Sequence, residues 1–140
     1  MEIFILERDI KVFYVTAGSF PEGAPDAHAR LHKLVPFSMD RNYFGISRPE
    51  NNGPIIYRAA AEEKSPGEAE KYYCDTLILK KGKYASITLN DFRKEPQSIG
   101  KVFRELLTRP DLDPQGYCVE WYANDKEEVR CMVRLKGQEV

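Results

Sequence analysis

The chain has 140 residues, 42% of them apolar, and a formal net charge of −1. That is enough apolar matter for one globular core, and it leaves no basic field to hold nucleic acid through its phosphates. No apolar run approaches a membrane span and the first residues lack a basic-then-apolar leader, so no membrane role is expected and the cytoplasm is the expected location.

The first residues, Met1 to Arg8, read as a short apolar strand. Lys11 to Ala17 read as a second strand, or as its continuation past Arg8-Asp9. Gly18-Ser19-Phe20-Pro21-Glu22-Gly23 breaks the chain. Pro25 and Asp26 suit a helix start, and a helix is expected from Pro25 to Val35, where Pro36 ends it. Its buried stripe is Ala27, Leu31 and Leu34, with Val35 at the edge. Tyr43 to Ser47 is a strand, Asn51-Asn52-Gly53-Pro54 a turn, and Ile55 to Ala61 the return strand of a hairpin. Glu62 to Lys71 is polar, contains Ser65-Pro66-Gly67, and reads as a linker or loop.

The second half repeats the plan. Cys74 to Leu79 is a strand, Lys80 to Lys83 turns the chain, and Tyr84 to Leu89 is another strand. Pro96, Gln97 and Ser98 open a helix, with Ser98 able to cap it. Its stripe is Ile99, Val102, Phe103, Leu106 and Leu107, at i, i+3, i+4, i+7 and i+8. Pro110 stops it. Tyr117 to Tyr122 is the next strand, Ala123-Asn124-Asp125-Lys126 a turn, and Asp125 to Glu128 its solvated charges. The last strand alternates Val129, Cys131, Val133 and Leu135 with Arg130, Met132 and Arg134. An offset of 72 sets Phe92 on Phe20, Ser98 on Asp26, Phe103 on Leu31, Leu106 on Leu34 and Asn124 on Asn52. The expected fold is α+β: one domain over residues 1–140, with duplicated βαββ units over about 1–68 and 69–140, a mostly antiparallel sheet and helices on one face. The other face, or the seam between the halves, is left for a ligand.

Within Tyr117 to Tyr122, alternation puts Tyr117, Val119 and Trp121 on one face and Cys118, Glu120 and Tyr122 on the other. A lone acid in a half-buried strand ordinarily faces water. Glu120, however, shares its face with a cysteine and a tyrosine, which suits a pocket that receives a cation or a hydrogen-bond donor. Cys74, Cys118 and Cys131 form no CxxC pair, so neither a disulfide framework nor a zinc site is expected, and each reads as a small packing residue. There is no Gly-rich phosphate loop and no nucleophile set of the Ser/His/Asp or Cys/His kind. No metal or cofactor is expected.

Four segments together resemble the GyrI-like small-molecule-binding domain, which is also the effector-binding domain of MerR- and AraC-type multidrug-sensing regulators. They are Ser19-Phe20-Pro21-Glu22-Gly23, Phe44-Gly45-Ile46-Ser47, Lys81-Gly82-Lys83-Tyr84-Ala85, and Ile99 to Leu107 followed by Val119-Glu120-Trp121-Tyr122. The resemblance spans nearly the whole chain and rests on order and spacing rather than on one motif. It implies a pseudo-twofold βαββ duplication whose groove binds bulky, often cationic aromatic compounds. Glu120 then lies at the groove's base, with Tyr122 on the same strand face and aromatic rings stacking on the ligand. The chain starts directly in its first strand, without a helix-turn-helix, so a stand-alone domain is expected. The family also includes members proposed to protect DNA gyrase and members that hydrolyse cyclopropane-bearing toxins.

Other candidates carry two readings each. Tyr57 either fills core beside alanines or reaches the cleft. Phe20 staples the start of the first helix, as Phe92 would in the other half, or stands at the groove mouth. Trp121 packs in the core unless a bulge re-aims it. Met132 lines a pocket floor or faces water. His28 and His32 have i, i+4 spacing without the glutamate of an HExxH motif, and read as a solvated helix flank. Three functions follow as expectations: capture of an aromatic cation with Glu120 as countercharge; hydrolysis of an electrophilic toxin, with Glu120 orienting water and Tyr122 or Tyr57 polarising the leaving group; or docking to a protein partner, a topoisomerase or a regulator.

Overall fold

The computed structural model of the chain describes residues 1–95, 97–122 and 128–137; of Arg93 only the backbone is described. Pro96 and the turn expected around Ala123 to Lys126, with its charges and the Asn124 match, therefore lie outside the described residues. Among the described residues eight strands run in chain order as β1 (Glu2–Leu6), β2 (Ile10–Thr16), β3 (Tyr43–Pro49), β4 (Ile55–Glu62), β5 (Asp75–Leu79), β6 (Gly82–Asn90), β7 (Cys118–Tyr122) and β8 (Glu128–Arg134). The helices are α1 (Ala24–Leu34), α2 (Glu68–Lys71) and α3 (Gln97–Leu106), and a 3₁₀ turn spans Phe92–Lys94. All strands join one antiparallel, curled sheet in the order β1-β6-β8-β7-β3-β4-β2-β5.

That order is symmetric about the β3–β7 pair. Adding 72 to both members of the β2–β4 pair Val12 and Glu62 gives the β6–β8 pair Tyr84 and Arg134, and the rest of the two registers follows. The first strand of each half pairs across the molecule: β1 with β6, and β5 with β2. Each half is thus one strand longer than the expected βαββ plan and lends that strand to the other half. The two links meet, and the backbone N–H of Lys81 donates to Asp9 Oδ1 at 2.8 Å. The β3–β4 hairpin turns as expected. Asn51 and Asn52 both take the left-handed conformation (φ 55° and 56°), and Gly53 N–H donates to Glu50 O at 2.9 Å. Two consecutive positive φ values make a type I′ turn, which matches the twist of a hairpin.

One sheet face carries the helices. Ala27 and Leu31 of α1, with Val35 just beyond it, pack on Phe13, Tyr43, Ala59 and Ala61. The small Ala59 and Ala61 let the helix approach closely, so its buried line is the narrow i, i+4, i+8 row. Leu34 falls off that row and is exposed, which corrects the expected stripe. On the same face, beyond the β3–β7 pair, α3 packs Leu106, with Ile99, Val102 and Phe103, on Ala85, Val129, Cys131 and Val133. Leu107 lies past the helix end and is exposed. Ser98 sits inside the first turn, where its hydroxyl donates back to Glu95 O at 2.6 Å, so it is not the cap. The segment expected as a loop holds the one-turn helix α2, fixed by Arg41, which clamps Glu68 with two bonds of 3.0 and 2.9 Å.

The opposite face curls on itself. Leu6, Val12, Phe44, Ala60, Leu79, Tyr84, Val119 and Met132, one from each strand, meet there in a second core. Among the described residues no helix is long and apolar enough to cross a membrane.

Candidate functional site

The symmetric centre of the sheet is the point at which Gly45 on β3 faces Glu120 on β7. Since α1 packs over β2 and β4 and α3 over β6 and β8, the floor between the helices is this strand pair. Glu120 points to that side and is 7% exposed. Gly45 is needed there for space. A Cβ on it would stand 2.1 Å from Tyr57 Oη and 2.6 Å from Glu120 Oε1. The missing side chain is the channel through which Tyr57, reaching in from β4, meets the carboxyl.

One carboxyl oxygen collects two phenols. Tyr57 donates to Glu120 Oε1 at 2.9 Å, and Tyr122 makes a short hydrogen bond to the same atom. His28 of α1 places Nε2 2.7 Å from Tyr57 Oη. The Tyr57 proton is committed to Glu120, so the histidine must be the donor, which assigns the Nε2–H tautomer. The relay runs from His28 through Tyr57 to Glu120, with Tyr122 closing from the other side. His28 also meets the rings of Tyr57 and Tyr122 edge-on, at 5.7 and 5.5 Å. A second layer of rings lies above. Phe20 stacks on Tyr57 at 5.2 Å and an interplanar angle of 11°, and Phe92 tilts against Tyr122 at 5.5 Å.

Burial raises the Glu120 carboxyl above its usual range, and the two tyrosine bonds pull it only partly back. Among the described residues no basic group contributes and no ion pair includes Glu120. Both tyrosines are pushed up, by burial first and then by Glu120. Burial and the neighbouring His32 bring His28 down to about 4, so it is neutral at pH 7. Burial and the Glu120 charge move Cys118 to about 11 and Cys131 to about 12, so neither supplies a thiolate. The site is therefore a buried acid without a countercharge among the described residues, held by phenol donors and roofed by aromatic rings.

The structure brings Glu120, Tyr122, Tyr57 and Phe20 together. It sets Trp121 on the opposite face, where it packs on Phe4 and Phe44 and donates from Nε1 to Asn42 Oδ1 at 3.2 Å. Met132 is also on that face, fully buried, so it neither faces water nor touches the Glu120 cluster. His28 is half-buried inside the site rather than on a solvated flank; His32 is exposed and meets Phe37 and Tyr43. Sequence reasoning gave no site role to Gly45 and read His28 as a helix flank.

No protein-family model matches the chain, and no curated protein matches it by sequence. Solved structures do share the fold. SAV2435 bound to tetraphenylphosphonium superposes with a TM-score of 0.67 at 14% identity, covering 98% of this chain and 95% of that one. An integron cassette protein from the mobile metagenome of Vibrio cholerae gives 0.66 at 13% identity, over 96% and 95% of the two chains. A Staphylococcus aureus MU50 protein named for bacterial transcription regulation gives 0.60 at 13% identity, over 97% of each. At these identities the likeness is one of fold, carried over nearly the whole length of each chain.

Proposed function

We propose that this chain is a small-molecule-binding domain that captures bulky aromatic cations between α1 and α3, with Glu120 as the countercharge. The observation that carries the reading is a buried carboxyl with no ion-pair partner among the described residues, bonded by Tyr57 and Tyr122 and overlain by Phe20 and Phe92 on the symmetric seam of the sheet. A fold neighbour holding tetraphenylphosphonium supports the same ligand class.

Tyr57 and Tyr122 fix the carboxyl, and His28 fixes Tyr57. A cation entering beneath Phe20 and Phe92 meets ring faces, worth ~2 kcal/mol when desolvated, and an oxygen already oriented. In the empty domain the carboxyl titrates above the usual range; a bound cation lowers it again. Binding therefore releases a proton at pH values between the lowered and the raised value, and affinity rises with pH across that window. The role in a cell, as sensor for a regulator or as a stand-alone scavenger, follows from the partner that reads the bound state.

The test is calorimetric titration of wild type and Glu120→Gln with tetraphenylphosphonium and with neutral triphenylphosphine oxide. The cation should lose about tenfold or more in affinity, roughly 1.4 kcal/mol, and the neutral compound less than about threefold. Equal losses for both refute the countercharge. Recovery of the cation unchanged is expected. Two phenols on one carboxyl oxygen would also suit activation of water, so turnover of an electrophilic aromatic substrate would favour hydrolysis instead.

A further inference from the structure

The concave core is filled unequally in its two halves. Trp121 meets Phe4 at 5.9 Å and Phe44 at 5.2 Å, and these three rings close one side. The pseudo-twofold carries them to Ile46, Leu77 and Val119, as the registers show. Phe4 faces Tyr84 as Leu77 faces Val12. Phe44 faces Ala60 as Val119 faces Met132, and Trp121 faces Arg130 as Ile46 faces Arg58. Each aromatic ring has a smaller aliphatic counterpart. On that side a cavity of about 270 Å³ stands open, walled by Leu77, Leu79, Tyr84, Tyr117 and Val119.

Its mouth is positive. Arg48, Lys80, Arg134 and Asp113 ring it. Arg134 is neutralised by Asp113 at 3.1 Å. Arg48 is not neutralised in the same way. It pairs with Glu50 at 3.7 Å, but that carboxylate also holds a short bond from Arg58, so two guanidiniums share one acid. Arg48 is nonetheless fixed in place, lying 4.1 Å over the Tyr117 ring with Nη1 donating to Gln115 O at 2.6 Å. Lys80 is exposed and makes no ion pair among the described residues.

We infer that this cavity is a second small-molecule site, on the sheet face opposite Glu120, for a compact hydrophobic carboxylate. The walls take one or two fused rings, because the volume is at the small end of ligand pockets. The acid stays at the half-wet mouth, where a preoriented guanidinium and an ammonium meet it without full desolvation. The two sites would then select opposite charges, and this one does not depend on the reading of Glu120.

The experiment is an amide NMR titration of the full chain with 2-naphthoate, 2-naphthalenemethanol and 2-naphthylmethylammonium. Naphthoate should give saturable shifts centred on residues 77–80 and 116–119, and it should still bind with tetraphenylphosphonium present. The alcohol should bind about fivefold more weakly and the ammonium more weakly still. Arg48→Gln should reduce the gap between acid and alcohol to about twofold. Leu77→Phe with Val119→Phe, which copies the filled half, should abolish binding. Should that pair fail to fold, Leu77→Phe alone should weaken naphthoate about fivefold or more. Absence of saturable shifts, shifts centred on Glu120, equal affinity for acid and alcohol, or unchanged binding in the filled variants would each overturn the inference.

Discussion

Gly45→Ala tests whether the site is assembled through the gap that this glycine leaves. The new methyl would lie 2.1 Å from Tyr57 Oη, 2.6 Å from Glu120 Oε1 and 2.8 Å from Tyr57 Cζ. Tyr57 is 2% exposed, so its ring has little room to retreat. Overpacking a close-packed site costs about 1–3 kcal/mol. Displacing the Tyr57 hydroxyl also breaks its bonds to Glu120 and His28, each worth about 1 kcal/mol net. Against this, alanine in a strand recovers about 0.5–1 kcal/mol of the entropy that glycine loses. The sum is a loss of about 2–4 kcal/mol, or roughly 6–15 °C in melting temperature for a chain of this size. Urea denaturation of the four-member cycle with Tyr57→Phe is the assay. Removing the hydroxyl first takes away the nearest clash and both bonds, so Gly45→Ala should then cost at least about 1 kcal/mol less. A penalty below about 1 kcal/mol, or the same penalty in both backgrounds, would mean that Gly45 does not hold this space open for Tyr57.

Three further outcomes are expected. His28 has a folded pKa of about 4 against 6.5 unfolded, so its contribution to stability is complete above pH 6.5 and is lost as pH falls toward 4. The loss is about 3 kcal/mol at most, and His28→Gln should remove that part of the acid slope in pH-dependent denaturation. Glu120 has the opposite sign: its folded pKa is raised, so stability is lost as pH rises through it. The empty Glu120→Gln domain should therefore melt at or above the wild-type temperature at pH 7, and a lower melting point would contradict a desolvated acid. Glu68, held near 2 chiefly by the Arg41 bond, supports folding above its unfolded value of 4.5 and loses that support as pH falls toward 2. Glu68→Gln should lower stability at pH 7 by about 1–3 kcal/mol, because Arg41 stays largely buried, and by little at pH 2.

Local pattern carries far in this chain and stops at the register. The faces of β7 follow from alternation, and so does the separation of Glu120 from Trp121. The Asn51-Asn52-Gly53 turn and most of the α3 stripe follow from residue chemistry. Met132 misleads because its neighbours Arg130 and Arg134 mark a wet face. In the folded chain Arg130 lies 4.1 Å over the Phe4 ring and Arg134 pairs with Asp113, so both cover the curled core rather than leave it. His28 is legible only once Tyr57 is known to cross Gly45. That crossing depends on pairing β3 with both β4 and β7, which no single segment specifies. The exchange of β1 and β5 is hidden for the same reason: a strand's alternation names its buried face, not the edge it joins.

The exchange bears on how the chain comes to be folded. As residues emerge in order during synthesis, β1 has no partner until β6 has been made, and the outer edge of β2 stays open until β5 arrives. The first half therefore cannot close as an independent unit. Its apolar strand edges must wait for the second half, with the exposure to unwanted pairing that long-range sheet contacts carry. In return, the finished halves are clasped at both ends of the sheet. Swinging them apart as hinged lobes would break both outer strand pairs, so the floor that holds Glu120 is tied from either end.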